Sequence, residues 1–248
     1  MRHKLKGIVI REHPKGETSK LLTVLTDSMG VLTVNAKGVR KLSSPYLKSA
    51  QLFALSDMLI YEKNGYYTLT EAALITDFYP LSKDIKNYAL ACYLCDAASS
   101  FTIQGEESGA ILRLLLNALY ALEKEVASPE LIKAAFELKL CCECGFEPST
   151  DYCASCGEEI NVCRFDVYDG EMICENCSVA GRNVFTLSSA NKKAIEHIAQ
   201  SELSKFLSFR VSDADLQNLS QIAERYFLNR AERGYKTLSF YKQCVELN

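Results

Sequence analysis

Residues 21–36 read LLTVLTDSMGVLTVNA. Two β-branched-rich runs, Leu21–Thr26 and Val31–Ala36, flank Asp27-Ser28-Met29-Gly30, whose side chains favour a turn. The pattern extends both ways. Upstream, Leu5–Arg11 holds the apolar run Ile8-Val9-Ile10. Downstream, Leu52–Glu62 is a fourth strand, and Asn64-Gly65 supplies the two positive-φ positions of a type I′ hairpin turn. Tyr66–Leu69 returns as the fifth. Five short strands with little helix predict a small closed barrel, and an SH3-like barrel fits the pattern as well.

From about Asp84 the apolar period lengthens from two to three or four. Ile85, Tyr88, Ala89, Cys92 and Tyr93 mark one helical face, and Ile111, Leu112, Leu115, Leu116, Leu119 and Leu122 mark a second, thickly apolar helix. Ser128-Pro129-Glu130 opens a third: a hydroxyl to cap it, proline at the first position and an acid in the first turn. It runs to about Cys142, and Gly145 can stop it. After residue 182 helices resume over Asn191–Ser201 and Asp213–Arg233, with Leu216, Leu219, Ile222, Ala223, Tyr226 and Phe227 facing inward and Gly234 as terminator. The implied division is a barrel at 1–80, helices at 81–145 and 183–248, and a cysteine-rich insertion at 146–182.

Eleven cysteines in one chain are too many to ignore. No secretory leader is evident, because Lys6, Arg11 and Glu12 break any apolar core behind the basic start. The expected compartment is therefore the reducing cytoplasm, where metal binding explains clustered thiols better than disulfides. Cys153-Ala-Ser-Cys156-Gly157 and Cys174-Glu-Asn-Cys177-Ser178 are knuckles separated by 17 residues, the spacing of a four-cysteine zinc ribbon. Between them Val162–Tyr168 and Glu171–Ile173 flank Asp169-Gly170 as a hairpin carrying the second knuckle. One structural Zn2+ on Cys153, Cys156, Cys174 and Cys177 is the expectation. Four thiolates leave no open position for water, so the site reads as non-catalytic. Cys92 and Cys95 lie mid-helix and read as core. Cys141, Cys142 and Cys144 read as core or helix end, with a share in the metal site left open. Cys163 and Cys244 read as packing.

Charge is uneven. Residues 1–80 hold 11 Lys/Arg against 7 Asp/Glu, and residues 81–248 hold 17 against 24. The first third is thus the side a polyanion would meet. Lys37, Arg40 and Lys41 surround Gly38 after the third strand, Lys48 follows, and Lys4 and Lys6 lead into the first strand; together they suit a phosphate backbone. Tyr46, Phe53, Tyr66 and Tyr67 are either barrel core or stacking platforms for bases. No phosphate-binding loop, dinucleotide fingerprint or nucleophile elbow occurs, and no stretch is apolar for long enough to span a bilayer. The sequence reads as a binding protein, not an enzyme, with no membrane contact.

Seven segments carry a family resemblance: KGIVIR (6–11), ETSKLLTVLT (17–26), DSMG (27–30), AKGVRK (36–41), FELKLCCECGFEP (136–148), CASCG (153–157) and RGYKTLSF (233–240). The chain resembles the RecO family, bacterial recombination mediators of the RecF pathway, over essentially its whole length. That resemblance implies an α+β multidomain protein: a five-stranded OB-fold barrel, then a helical domain with an inserted four-cysteine zinc motif. It implies binding of single- and double-stranded DNA, annealing of complementary strands, and work with RecR to load RecA onto DNA coated by single-strand binding protein (SSB). By position Lys4, Lys6, Lys37, Arg40, Lys41 and Lys48 would contact DNA, and the nucleoid would be the place of action. The family also recognises the acidic, hydrophobic C-terminal tail of SSB; Arg113, Lys133 and Lys139 are candidates for it. Two other classes fit the residues: a redox sensor that releases zinc on oxidation, and a zinc-ribbon RNA-binding protein.

Overall fold

In the first strand, His3, Leu5, Gly7 and Val9 turn one way while the exposed Arg2, Lys4 and Lys6 turn the other, the period-two alternation of a half-buried strand. The computed structural model describes residues 1–160 and 163–246. Five strands close into a barrel: β1 (Arg2–Lys15), β2 (Ser19–Thr26), β3 (Val31–Ala36), β4 (Ala54–Lys63) and β5 (Tyr66–Asp77), in the order β1-β2-β3-β5-β4. All pairings are antiparallel except β3 with β5, where Val34 meets Tyr67 and Asn35 meets Thr68. Inserting β5 between β3 and β4 is a Greek-key return, the OB-fold arrangement.

β1 is longer than its apolar run suggests because it serves two neighbours. Arg2–Ile8 pairs with β4, and Gly7–Lys15 pairs with β2, with a bulge between Val9 and Arg11 that bends the strand. Gly7 lies in the shared stretch. A Cβ there would sit 2.5 Å from Val24 Cγ1, so a larger residue would require the Val24 side chain to shift. Leu5, Val9, Leu22, Val24, Leu32, Val34, Met58, Ile60 and Leu69 fill the barrel; each such burial contributes about 1.5–3 kcal/mol.

By internal contacts the chain divides into two units, Met1–Glu123 with Thr237–Asn248, and Lys124–Lys236. In the first unit a short 3-10 turn at Tyr79–Lys83 leads to α1 (Ile85–Ser100), capped by the Asp84 carboxylate on Asn87 N. α1 is buried on nearly every side from Ala89 to Ala98, whereas Ile85, expected on its inner face, is exposed. α2 (Gly109–Glu123) is buried along Ile111, Leu112, Leu115, Leu119 and Leu122, as its sequence predicts, whereas Leu116, expected on the same face, is half-buried. The nearly buried Asp96 of α1 accepts from Arg11 Nη2 and from Thr237 Oγ1.

In the second unit α3 (Pro129–Glu143) starts on the Ser128 hydroxyl. It ends in a Schellman motif: Phe146 N donates to Cys141 O at 2.9 Å and Gly145 N to Cys142 O at 3.0 Å, with Gly145 at φ +85°. The cysteine-rich segment follows with β6 (Cys163–Asp166), β7 (Glu171–Cys174) and β8 (Val184–Leu187) in a sheet ordered β7-β6-β8. β8 is an addition to the expected hairpin; Val162, its expected start, and the Cys163 side chain lie outside the described residues. α4 (Ser189–Gln200) and α5 (Asp213–Ala231) complete the unit. α5 stops at Glu232, which is left-handed at φ +50°, two residues before the expected Gly234. A final helix, α6 (Lys236–Glu246), buries Leu238, Tyr241 and Cys244. Among the described residues no helix is long and apolar enough to cross a membrane.

Candidate metal centre and nucleic-acid interface

The hairpin β6–β7 delivers Cys174 at its end, and the chain then turns so that Cys177 N donates to Cys174 O. The other knuckle closes through Gly157 N to Cys153 O at 2.8 Å and lies along β7, with Ala154 N donating to Met172 O. The result is a group in which the sulfurs of Cys153, Cys156, Cys174 and Cys177 all lie within 4.8 Å of one another. Cys156 Sγ and Cys174 Sγ are 3.8 Å apart. A tetrahedral zinc with bonds of about 2.3 Å spaces its sulfurs by about 3.8 Å, so the donor set fits the ion.

Local donors favour thiolate at Cys153. Cys153 Sγ accepts from Cys174 N at 3.3 Å and Ser155 N at 3.4 Å. Burial pushes this thiol up, but the backbone N–H groups of Cys174, Cys156 and Ser155 outweigh it and bring it down to about 6. Cys177 goes the other way: hydrogen bonds to the sulfurs of Cys174 and Cys156 hold its proton on, up to about 12. Four crowded thiols cannot all ionise on their own, and a divalent cation is what would let them. The second knuckle has a brace that its sequence does not announce. Arg164 Nη2 donates to the carbonyls of Cys174 and Cys177, each at 2.7 Å.

Cys141, Cys142 and Cys144 stand outside this group. Cys141 is buried on α3, and burial raises the thiols of Cys142 and Cys144 to about 12. Such thiols are the reverse of the acidic cysteines a redox sensor uses. Cys95 and Cys244 are buried and Cys92 half-buried, in line with packing.

The basic residues follow the β3–β4 connection. Val39 plugs the barrel at 1% exposure, so its neighbours Lys37, Arg40 and Lys41 are pinned outward by an apolar anchor. Arg40 N donates to Thr18 O at 2.9 Å, Arg40 Nη1 to Gly16 O at 3.1 Å, and Gly38 N to Ser19 Oγ at 3.2 Å. The loop is therefore docked on the β1–β2 turn, beside Lys15. Lys48 is exposed further along the same connection. Lys4 lines a different groove with Tyr46, Asp57 and Glu71, and Lys6 pairs across the ladder with Asp57. Asp57 thus stands beside those two lysines, while Glu17 lies in the β1–β2 turn on which the Lys37–Lys41 loop is docked. Of the aromatics, Phe53 is core at 1% exposure, Tyr46 and Tyr67 pack half-buried on the barrel, and Tyr66 stands out at 79% exposure.

Two of the three cations offered for an acidic tail are consumed internally. Lys133 is buried between Glu137 and Glu224, and Lys139 Nζ caps α4 through Ala199 O and Ser201 O. Arg113 is exposed on α2.

Comparison with known proteins gives one consistent result. A family model described as recombination protein O N terminal matches residues 1–78, and one described as recombination protein O C terminal matches residues 82–239. A protein of Acetivibrio thermocellus named DNA repair protein RecO is 28% identical over 240 residues, covering 96% of either chain. Proteins of the same name from Alkaliphilus metalliredigens (28% identical; 97% of this chain, 98% of that one) and Caldicellulosiruptor bescii (29% identical; 96% and 97%) are similar along the same length.

Proposed function

This chain belongs to the RecO family of DNA repair proteins, and we propose that it works as a DNA-binding recombination mediator. On this reading it binds single- and double-stranded DNA through the barrel and anneals complementary strands. With RecR it helps to load RecA onto SSB-coated single strands, in the cytoplasm at the nucleoid. The observation that carries the reading is the Lys37–Lys41 loop, hydrogen-bonded to the β1–β2 turn of an OB barrel with its three cations exposed. Phosphates would meet this loop first, with Lys48, Lys4 and Lys6 extending the contact. Arg113 on α2 is the remaining candidate for the SSB tail. Cys153, Cys156, Cys174 and Cys177 would hold one Zn2+, which supplies a charge-neutralising crosslink and no reaction step.

The loop makes a quantitative prediction. In the variant Lys37→Ala with Arg40→Ala and Lys41→Ala, single-strand affinity falls for every sequence tested. The plot of log Kobs against log salt becomes shallower by about 2, since each phosphate contact on a single strand contributes about 0.7 to the slope. An unchanged slope would remove the loop from the interface. The mediator role itself is tested by strand annealing on SSB-coated DNA, with and without a RecR partner. Acceleration over SSB-coated DNA alone is expected, and its absence in both arms would refute mediation. RNA bound as tightly as DNA would favour the RNA-binding class.

A further inference from the structure

We infer that the free edge of β5 over Glu71–Leu74 takes up one strand of a partner protein, an extended segment that alternates apolar and basic side chains. This is a protein contact, independent of the DNA reading above. β3 pairs with β5 only at Tyr67 and Thr68, because β3 ends at Ala36 while β5 runs on to Asp77. β4 follows β5 along its whole length on the other side. Beyond Leu69 the opposite side of β5 has no strand beside it. Among the described residues, no backbone hydrogen bond joins Thr70–Thr76 to any segment but β4. Alternate residues of this stretch turn N–H and C=O away from β4. Such a row of unpaired groups is the template for strand addition.

Edge strands are ordinarily guarded by lysine, proline or a bend. Residues 66–76, YYTLTEAALIT, contain no lysine, arginine or proline. Bulges at Thr70 and Ile75 bend the strand at either end, and between them Glu71–Leu74 pairs with Leu59–Ser56 in unbroken register. That register sorts the side chains a partner would meet. Ala72 and Leu74 lie opposite Met58 and Ser56, both buried, and so belong to the inner side of the sheet. Leu74 is nonetheless 36% exposed and the bulged Ile75 46%, with no further strand to cover them. An apolar partner residue fits there, in a groove that Tyr46 also lines. Glu71 and Ala73 face outward, and Asp57 lies directly opposite Ala73. Both carboxylates are exposed, and neither has an ion pair or hydrogen bond from its side chain among the described residues. A basic residue beside Glu71 makes a cross-strand charge pair. One beside Ala73 reaches past its methyl group toward Asp57. Lys4 stands on the far side of Leu59 and Lys6 on the far side of Asp57, so the free edge itself carries only negative charge. Apolar on one side and basic on the other, at period two, is the pattern of a strand.

The probe is a short synthetic peptide alternating valine and lysine, set against a control of the same composition with its lysines adjacent. Titrated with the full chain and followed by fluorescence anisotropy, the alternating peptide should bind more tightly than the control. With that peptide bound, hydrogen exchange should slow over Thr70–Thr76 and stay unchanged in β2. Glu71→Lys turns an attractive cross-strand pair into a repulsive one. It should weaken the alternating peptide roughly 2- to 30-fold, the range for two such pair energies together. Because Glu71 is exposed, the variant should keep the parent's circular dichroism. No binding, equal binding of the two peptides, or undiminished binding by Glu71→Lys would each overturn the inference. Binding that leaves the amides of residues 70–76 exchanging freely would overturn it too, since the contact would then not be a strand. Protection there that grows with protein concentration, without peptide, would give the edge to a second copy of this chain and overturn the assignment to a partner.

Discussion

If Cys153, Cys156, Cys174 and Cys177 hold one Zn2+ as proposed, Cys174→Ser should release it and loosen the segment around the two knuckles, whereas Cys141→Ser should leave it bound. Cys174 links both knuckles of the four-cysteine group. Its sulfur is 3.8 Å from that of Cys156, its amide donates to Cys153 Sγ, and its carbonyl holds Arg164. The segment has little else to fold around: Phe165, Val167, Met172 and Ile173 are its main buried apolar side chains. Structural zinc in finger peptides contributes about 10–16 kcal/mol of apparent binding free energy, most of which is folding free energy. A serine ligand forfeits much of it. The effect should spread to the C-terminal half of α5, since Asn229 Nδ2 donates to Val167 O and Tyr168 O and Tyr226 Oη to Phe146 O. Metal content and hydrogen exchange check this: one Zn2+ per chain in the parent and in Cys141→Ser, none in Cys174→Ser, with faster exchange over 149–177 and 222–231. Zinc lost from Cys141→Ser would reassign the ligand set.

The second large effect is expected at Lys133. Its ammonium lies 3.0 Å from Glu137 and 2.9 Å from Glu224, in a setting where Lys133 is 4% exposed and Glu137 fully buried. Removing one partner of a buried pair costs about 3–5 kcal/mol, because the remaining charge stays in a poor dielectric. Lys133→Ala should accordingly lower Tm by about 6–20 °C. Replacing all three groups together by Met or Leu of similar volume should recover most of that loss; no recovery would mean the ion pairs themselves stabilise the fold. Burial lowers the Lys133 pKa, but the two carboxylates outweigh it and the net direction is up from 10.5. A raised lysine stabilises the fold at every pH below its unfolded value, and the contribution is lost as pH climbs through the folded value. The deficit of Lys133→Ala should thus be constant from pH 7 to 10 and shrink only beyond the ordinary lysine pKa of about 10.4.

What the residues announced depended on how local the signal was. The five barrel strands, the Ser128 start, the Gly145 stop and both knuckles are written in neighbouring residues, and all stand in the structure. Tyr66 was not: its residue type allows barrel core or stacking platform, and only the structure shows it exposed, at 79%. Nor were β8 and α6. β8 has four residues and borrows its pairing from β6, while α6 leaves its apolar Phe240 and Val245 exposed at 44% and 46%, which blurs its inner face. Long-range polar contacts leave the faintest trace. Lys133 and Glu137, or Lys139 and Glu143, look like solvated i,i+4 pairs, and only packing shows them buried or half-buried inside the second unit. Arg164 likewise carries no motif, since the carbonyls it grips are brought to it by the hairpin.

The return of Thr237 to Asp96 has a consequence in time. A ribosome that has made the barrel, α1 and α2 must then add the 113 residues from Lys124 to Lys236 before α6 exists. At about 5–20 residues per second that takes on the order of 6–20 s. Throughout this interval the surface that α6 will cover stays open to water, and the Asp96 carboxylate has Arg11 but not the Thr237 hydroxyl. The nascent first unit therefore waits unfinished while the second is translated. A synonymous pause placed before codon 237 should lengthen its exposure to proteases without altering the final protein.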